Sequence, residues 1–335
     1  MAFRTVEITG PAELHVKNGS LVVEKELSEL TIEKDQKNTK KTSPEKDKNG
    51  KKARGKSKEE KTKIYIPMED ISTIVCMGAG IRISTLAMAK LCENKISMMM
   101  LNEKYLPTGI LTAYEANARQ SLIMRRQIAM NQDKKDMLWK HIVRKKIENQ
   151  AEALSILKLD GADQVSAFMK KLDTCKEIDS VEAGAAKTYF QYLLPGINRR
   201  DESFENSCLN YGYSIIRNSL SRAIIAAGLL PAFGIHHQNL YNAFNLSDDL
   251  IEPFRPHVDL IAYHMKGTEI KLLRNQRKQL AEVLQHAVIM DGRKISVLQA
   301  IDVLINDLKK VVMGEAEDIH LPKILPIELL SHIKE

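Results

Sequence analysis

Between Glu182 and Glu252 the chain carries the residue types that can grip a divalent cation. They are Glu182 in VEAGAAKTYF, His236 and His237 in GIHH, and Asp249 with Glu252 in SDDLIEPFRPHVD. A Glu/His/Glu set drawn from three separated elements is what a bound cation needs to polarise a phosphate and orient an oxygen nucleophile. Carboxylate and water ligands favour Mg2+ or Mn2+, while the imidazole leaves Zn2+ open. The chain contains no HExxH, no GxSxG and no Walker loop, so neither a zinc-hydrolase helix, a nucleophile elbow nor a nucleotide cradle has support in the sequence. Each residue also has a plain structural reading. Glu182 suits a helix amino terminus through the dipole, His237 suits a hydrogen-bonded loop, and Asp249 and Glu252 suit a helix start.

Aromatic and basic residues crowd the same stretch. Tyr189 and Phe190 follow Glu182, Arg199 and Arg200 precede a long helical segment, and Asn210, Tyr211, Tyr213, Arg217 and Arg222 lie on it. His236, Asp249, Asn210 and Tyr211 are candidates to support the ligands. Arg199, Arg200, Arg217 and Arg222 are candidates to meet nucleic-acid phosphates, or else to pair with the acids of the core. The tyrosines could orient ligands or pack. Arg255, two residues after Pro253, is placed to brace the turn at Glu252.

The elements that must position these groups are helical. A helix capped by Ser180 is expected to put Glu182 in its first turn, beside the small residues Ala183, Gly184, Ala185 and Ala186, and to end before Pro195-Gly196. NSCLNYGYSIIRNSLSRAIIA reads as the long helix. Pro231 and Gly234 then break the pattern and leave the histidine pair on a connecting loop. A helix starting near Ser247 would project Asp249 and Glu252 from one side. Upstream, residues 112–150 fit one or two long helices, and the pattern stays helical through about Met313 before a Pro-containing tail.

The amino-terminal part reads differently. FRTVEIT and AELHVKNGSLVVEK alternate like strands, with Asn18-Gly19 as a two-residue hairpin signal. KIYIP and ISTIVCMG resume that pattern. Ser84 can cap a helix over LAMAKLCENK, and KISMMML returns to a buried strand whose methionines at 98 to 100 fill the core. The expected class is α+β: a mainly β domain over residues 1–110, then a larger all-α, catalytic domain over 111–335.

At 335 residues and 44% hydrophobic content the chain can supply two cores. The longest apolar run, Ala223 to Ile235, is interrupted by Pro231 and falls short of the roughly 20 residues needed to cross a bilayer. No membrane span is expected. Cys76, Cys92, Cys175 and Cys208 show no framework spacing, which suits a reduced, cytoplasmic protein. The net charge of +7 resides entirely in the tract Glu33 to Lys63, with thirteen Lys or Arg against six Asp or Glu. That tract reads as a disordered insertion between strands of one sheet, or else as a nonspecific contact for phosphates, and the rest of the chain is balanced.

EAGAAKTYF, the SCLNYGYSIIR helix, the GIHH loop and SDDLIEPFRPHVD, in this order and spacing, resemble the CRISPR-associated integrase that inserts new spacers into CRISPR arrays, most closely its type II version. IPMEDISTIVCMG and MLNEKYLPTGILTAYEANARQ fall where that family passes from its β domain into its helical domain. The resemblance implies a metal-dependent DNA strand transferase or endonuclease whose metal ligands and catalytic residues are Glu182, His237 and Glu252. His237 is preferred over His236 by its spacing to Glu252. It also implies a homodimer joined by a small ferredoxin-like CRISPR-associated partner, acting on double-stranded DNA, the spacer precursor and the repeat, with Mg2+ or Mn2+. The insertion at 33–63 is longer than the family's loop there. Two other readings remain: a general metal-dependent nuclease of branched or repair DNA, and a noncatalytic dimeric DNA-binding scaffold.

Overall fold

The computed structural model describes residues 4–8, 10–26, 61–76, 80–102, 107–113, 119–175, 177–267 and 272–329. The chain divides into two compact units that adjoin in sequence between Leu111 and Thr112.

The first unit holds two sheets. Strands β1 (Arg4–Ile8), β5 (Ile71–Cys76), β7 (Ser97–Leu101) and β8 (Pro107–Leu111) lie side by side in that order, with β1 and β7 both parallel to β5. The other sheet runs β4 (Lys61–Pro67), β3 (Ser20–Glu26), β2 (Ala12–Lys17), β6 (Ile81–Ile83). Asn18 and Gly19 close the β2–β3 hairpin with φ of 49° and 73°, the pair of positive values that a tight hairpin turn demands. Ser84 caps α1 (Thr85–Glu93) by accepting from the Ala87 amide at 3.2 Å. Met98 is buried with Ile8, Leu14, Leu21 and Ile74, Met100 packs partly buried against them, and Met99 is buried apart from that cluster. β3 and β4 pair antiparallel, so residues 27–60 join neighbouring strands of one sheet. Apart from Lys61 to Lys63, which belong to β4, the lysine-rich tract lies outside the described residues.

The second unit is mainly helical. Its helices are α2 (Gln120–Ile128), α3 (Gln132–Ile156), α4 (Ala162–Thr174), α5 (Ile178–Leu193), α6 (Phe204–Ala226), α7 (Asn245–Leu250), α8 (Arg255–Met265), α9 (Arg274–Ala281) and α10 (Val297–Met313). The α+β class read from the sequence holds. One feature departs from an all-α second domain. β9 (His286–Met290) and β10 (Arg293–Ser296) form a hairpin, and β11 (Lys323–Leu329) pairs antiparallel with β9. Asp291-Gly292, with φ of 50° and 71°, makes the turn that interrupts the expected helical run to Met313.

The core of this unit gathers Trp139, Ile142, Tyr189, Leu209, Ile216 and Phe254. Gly212 lets α6 and α8 approach closely, because a Cβ there would stand 2.3 Å from Val258 Cγ1. No helix of the described residues is long and apolar enough to cross a membrane.

Candidate active site

Helix α3 supplies the floor. Trp139, Lys146 and Asn149 sit at positions i, i+7 and i+10 of one helical face, interleaved with the buried Ile142, Val143 and Ile147. Lys146 is the pivotal residue. Its ammonium lies 2.5 Å from Glu182 Oε1 and also forms an ion pair with Glu252 Oε2. Two carboxylates from α5 and from the turn before α8 therefore converge on one positive charge. Arg255 Nε holds the other oxygen of Glu252 at 2.8 Å, which is the bracing role expected from its position in EPFRP. Asn149 fixes that turn by donating to the Pro253 carbonyl at 2.8 Å.

The charges are tightly matched. Burial alone would raise the Glu252 carboxyl, but Arg255 and Lys146 outweigh it and hold the group at about 2. Burial works against the Lys146 ammonium in the same way, and Glu252 and Glu182 reverse it, lifting Lys146 above its ordinary value.

The histidine loop is anchored from below by Asp249, whose side chain is fully buried. Its Oδ2 accepts from the Ile235 amide at 2.6 Å and the His236 amide at 3.0 Å, and its Oδ1 accepts from the His237 amide at 3.1 Å and meets His237 Nδ1 at 2.6 Å. Gly234 permits this approach, since a Cβ there would lie 2.3 Å from the His237 carbonyl oxygen and 2.7 Å from Asp249 Oδ2. The bond from Asp249 raises the His237 imidazole above its usual value against the effect of burial, and the charges of Asp249, Glu252 and Asp248 add to the rise. The His237 side chain remains 45% exposed, so its outer nitrogen is open to a ligand.

His236 has different partners. Its ring stacks on Trp139 with centroids 4.3 Å apart and 2° between planes, and its Nε2 meets Asp179 at 3.1 Å. Asp179 precedes Glu182 by three residues on α5, so His236 ties the loop to the helix face that carries Glu182.

Several expectations are corrected. Helix α5 starts at Ile178 with Glu177 at its cap position, so Ser180 lies inside the helix and Asp179, not Glu182, is the first-turn acid. Asp249 and Glu252 do not act as a pair, because α7 ends at Leu250 and a separate 3-10 turn begins at Glu252. Asp249 faces the loop amides and Glu252 faces Lys146. Among the described residues no three His, Cys, Asp or Glu side chains stand as a ready metal cage. The structure brings Glu182 and Glu252 together on Lys146 and seats His237 on Asp249.

The flanking candidates divide further. Asn210 is exposed and accepts from Arg199 at 3.1 Å, while Tyr211 is buried in the helical core. Arg199 also bonds Asn206 and lies over the Phe190 and Tyr213 rings. Arg217 pairs with Asp248 at 2.9 Å and covers the Phe244 ring, and Arg222 pairs with Asp302 at 2.8 Å. Arg200 is exposed. Tyr189 and Tyr213 both donate to the buried Asp259, and the Tyr213 ring packs under the Arg255 guanidinium at 4.6 Å. Burial pushes the Asp259 carboxyl up to about 6 against those two hydroxyls.

Lys146, Trp139, Asn149, Asp179 and Asp259 escape a reading of the sequence built on acids and histidines. Lys146 did leave a signal. It occupies a position of the apolar stripe that includes Ile142 and Val143, where a charge requires a partner.

The donor chemistry fits a divalent cation. Glu182 and Glu252 already converge on one cationic group, and His237 has its Nδ1 on a carboxylate, the support that metal-binding imidazoles commonly have. A family model described as CRISPR associated protein Cas1 matches residues 47–272. The chain belongs to the Cas1 family. The CRISPR-associated endonuclease Cas1 of Neisseria meningitidis serogroup C (strain 8013) is 31% identical over 271 residues, covering 78% of this chain and 88% of that protein. Among solved structures, a casposase bound to integration product superimposes with a TM-score of 0.71 at 17% identity, over 95% of this chain and 92% of that one. A Cas6-RT-Cas1–Cas2 complex gives a TM-score of 0.67 at 15% identity, over 99% of this chain and 36% of that chain. At such identities these two likenesses speak for the fold alone. Membership of the family makes the chemistry Cas1-type, that of a DNA nuclease or integrase.

Proposed function

We propose that this Cas1-family chain is the metal-dependent strand transferase of a type II-like CRISPR system, joining the 3′-hydroxyl of a new spacer to a phosphodiester at a repeat boundary. The observation that carries the reading is the convergence of Glu182 and Glu252 on one cation position. Those two carboxylates and the outer nitrogen of His237 are the ligands for Mg2+ or Mn2+. When bound, such an ion supplies Lewis acidity to the phosphodiester.

The chain's own groups do the rest. Asp249 accepts the Nδ1 proton of His237 and so turns the lone pair of Nε2 outward. Arg255 and Lys146 keep Glu252 ionised, and Asn149 fixes its turn. In the reaction a P–O bond to the incoming 3′-oxygen forms as the bond to the leaving 3′-oxygen breaks. One phosphodiester replaces another, so no nucleotide hydrolysis is needed. Water in place of the 3′-hydroxyl gives nicking.

Homodimer formation and a small ferredoxin-like partner belong to this reading, as does a cytoplasmic location. The similarity to a Cas1 chain found in complex with Cas2 supports the partner. A strand-joining assay tests the proposal, using a spacer duplex with free 3′ ends, a repeat-containing target and Mn2+. Joined product is expected from the unmodified chain and not from Glu182→Ala, His237→Ala or Glu252→Ala. Cleavage without joining would favour a general nuclease, and alanine variants that still sustain spacer acquisition would favour a scaffold.

A further inference from the structure

The acid pair is already neutralised from within. Glu182 and Glu252 contribute two negative charges, and Lys146, in contact with both, and Arg255, in contact with Glu252, contribute two positive ones. Lys146 and Glu252 are almost wholly enclosed, with side-chain exposures of 8% and 6%, so solvent screens their mutual field poorly. A divalent ion approaching this group meets carboxylates whose charge is already matched. The shared ammonium also holds the place toward which both acids point.

We propose that Lys146 is a resident counter-ion that makes uptake of the divalent metal conditional on DNA. A DNA phosphodiester brought to the site supplies the negative charge that the acid pair lacks once Lys146 and Arg255 are counted. Metal and DNA then bind with positive coupling, and by linkage each tightens the other by the same factor. A chain without DNA holds its metal weakly. This inference rests on Glu182 and Glu252 being metal ligands, as proposed above.

The test is Mn2+ binding to the full-length protein, read from the electron paramagnetic resonance signal of free Mn2+. It is run with and without a short DNA duplex bearing 3′ single-stranded ends, and the Mn2+ taken up by the same DNA without protein is subtracted. DNA is expected to tighten Mn2+ binding to the unmodified chain by about 10- to 100-fold. Lys146→Met should bind Mn2+ roughly tenfold more tightly than the unmodified chain in the absence of DNA, and DNA should add little. Lys146→Arg, which keeps the charge, should retain the coupling. Melting curves check that each variant folds. If Lys146→Met does not fold, Lys146→Gln takes its place, since coupling in the unmodified chain alone does not single out Lys146.

An Mn2+ affinity unchanged by DNA in the unmodified chain would overturn the inference. So would a Lys146→Met variant with unaltered affinity, or a Lys146→Arg variant that behaves like it. Glu182→Gln separates the two levels of argument. If it binds Mn2+ as the unmodified chain does, the ligand assignment itself fails. If it loses Mn2+ while Lys146→Met and DNA change nothing, the ligands stand and the counter-ion role falls.

Discussion

His237 Nδ1 lies 2.6 Å from Asp249 Oδ1, and the same carboxylate receives three consecutive backbone amides of the histidine loop. Asp249 therefore fixes both the path of the loop and the face that the imidazole presents. Asp249→Asn replaces an acceptor oxygen with a donor that opposes those amides. The His237 pKa is expected to fall, because the Asp249 bond is the main cause of its rise, and strand joining should drop by about 10- to 100-fold. Proton NMR titration of His237 beside the joining assay checks both; an unmoved His237 pKa would remove Asp249 from its role.

Gly234 is the point at which the loop crosses over Asp249. A methyl group there would stand 2.3 Å from the His237 carbonyl oxygen and 2.7 Å from Asp249 Oδ2. Gly234→Ala should destabilise the chain by about 1–3 kcal/mol, as overpacking does elsewhere, and lower joining through displacement of His237. Denaturant melts and joining rates test this. A variant with normal stability and rate would show that the loop has room to move.

The buried His257 and His286 set an acid limit. Burial holds each down to about 4, whereas an unfolded histidine titrates near 6.5. Below pH 6.5 the unfolded chain takes up protons that the folded chain refuses, so stability present above 6.5 is lost as the pH falls toward 4. Between pH 7 and pH 5 the two residues together should cost roughly 2–4 kcal/mol. Urea midpoints at the two pH values measure the loss, and His257→Gln with His286→Gln should flatten it.

Removing residues 35–59 spares β4, which begins at Lys61, and leaves every site residue in place. Metal-dependent joining is expected to persist in this deletion, while DNA affinity weakens most at low salt, because the tract carries the chain's surplus positive charge. Binding isotherms across a salt series, plotted as log affinity against log salt, test it through their slopes. An identical slope with and without the tract would rule out phosphate contact.

Local rules made much of this fold legible. Asn18-Gly19 announced its hairpin and Ser84 its helix, since both effects act within a few residues. The Asp291-Gly292 hairpin obeys the same rule yet is masked by the helical stretches around it. Glu182, His237 and Glu252 stood out by residue type and by resemblance to a family. Lys146 did not, because what distinguishes it is its tertiary environment. It stands between acids 36 and 106 residues away in sequence, and no local pattern reports such a meeting. Ser180 misled for the opposite reason: a good capping residue is overridden when packing starts the helix three residues earlier.

Glu26 and Lys61 face one another as paired residues at the end of the β3–β4 ladder. Their backbones are thus roughly 5 Å apart, one strand spacing, whatever the chain does between them. Closing a longer excursion from such neighbouring ends costs little extra entropy. This junction can therefore serve as a port for guest sequence, where an affinity handle or a small folded reporter with adjacent termini could be spliced without altering the ladder on which it is mounted.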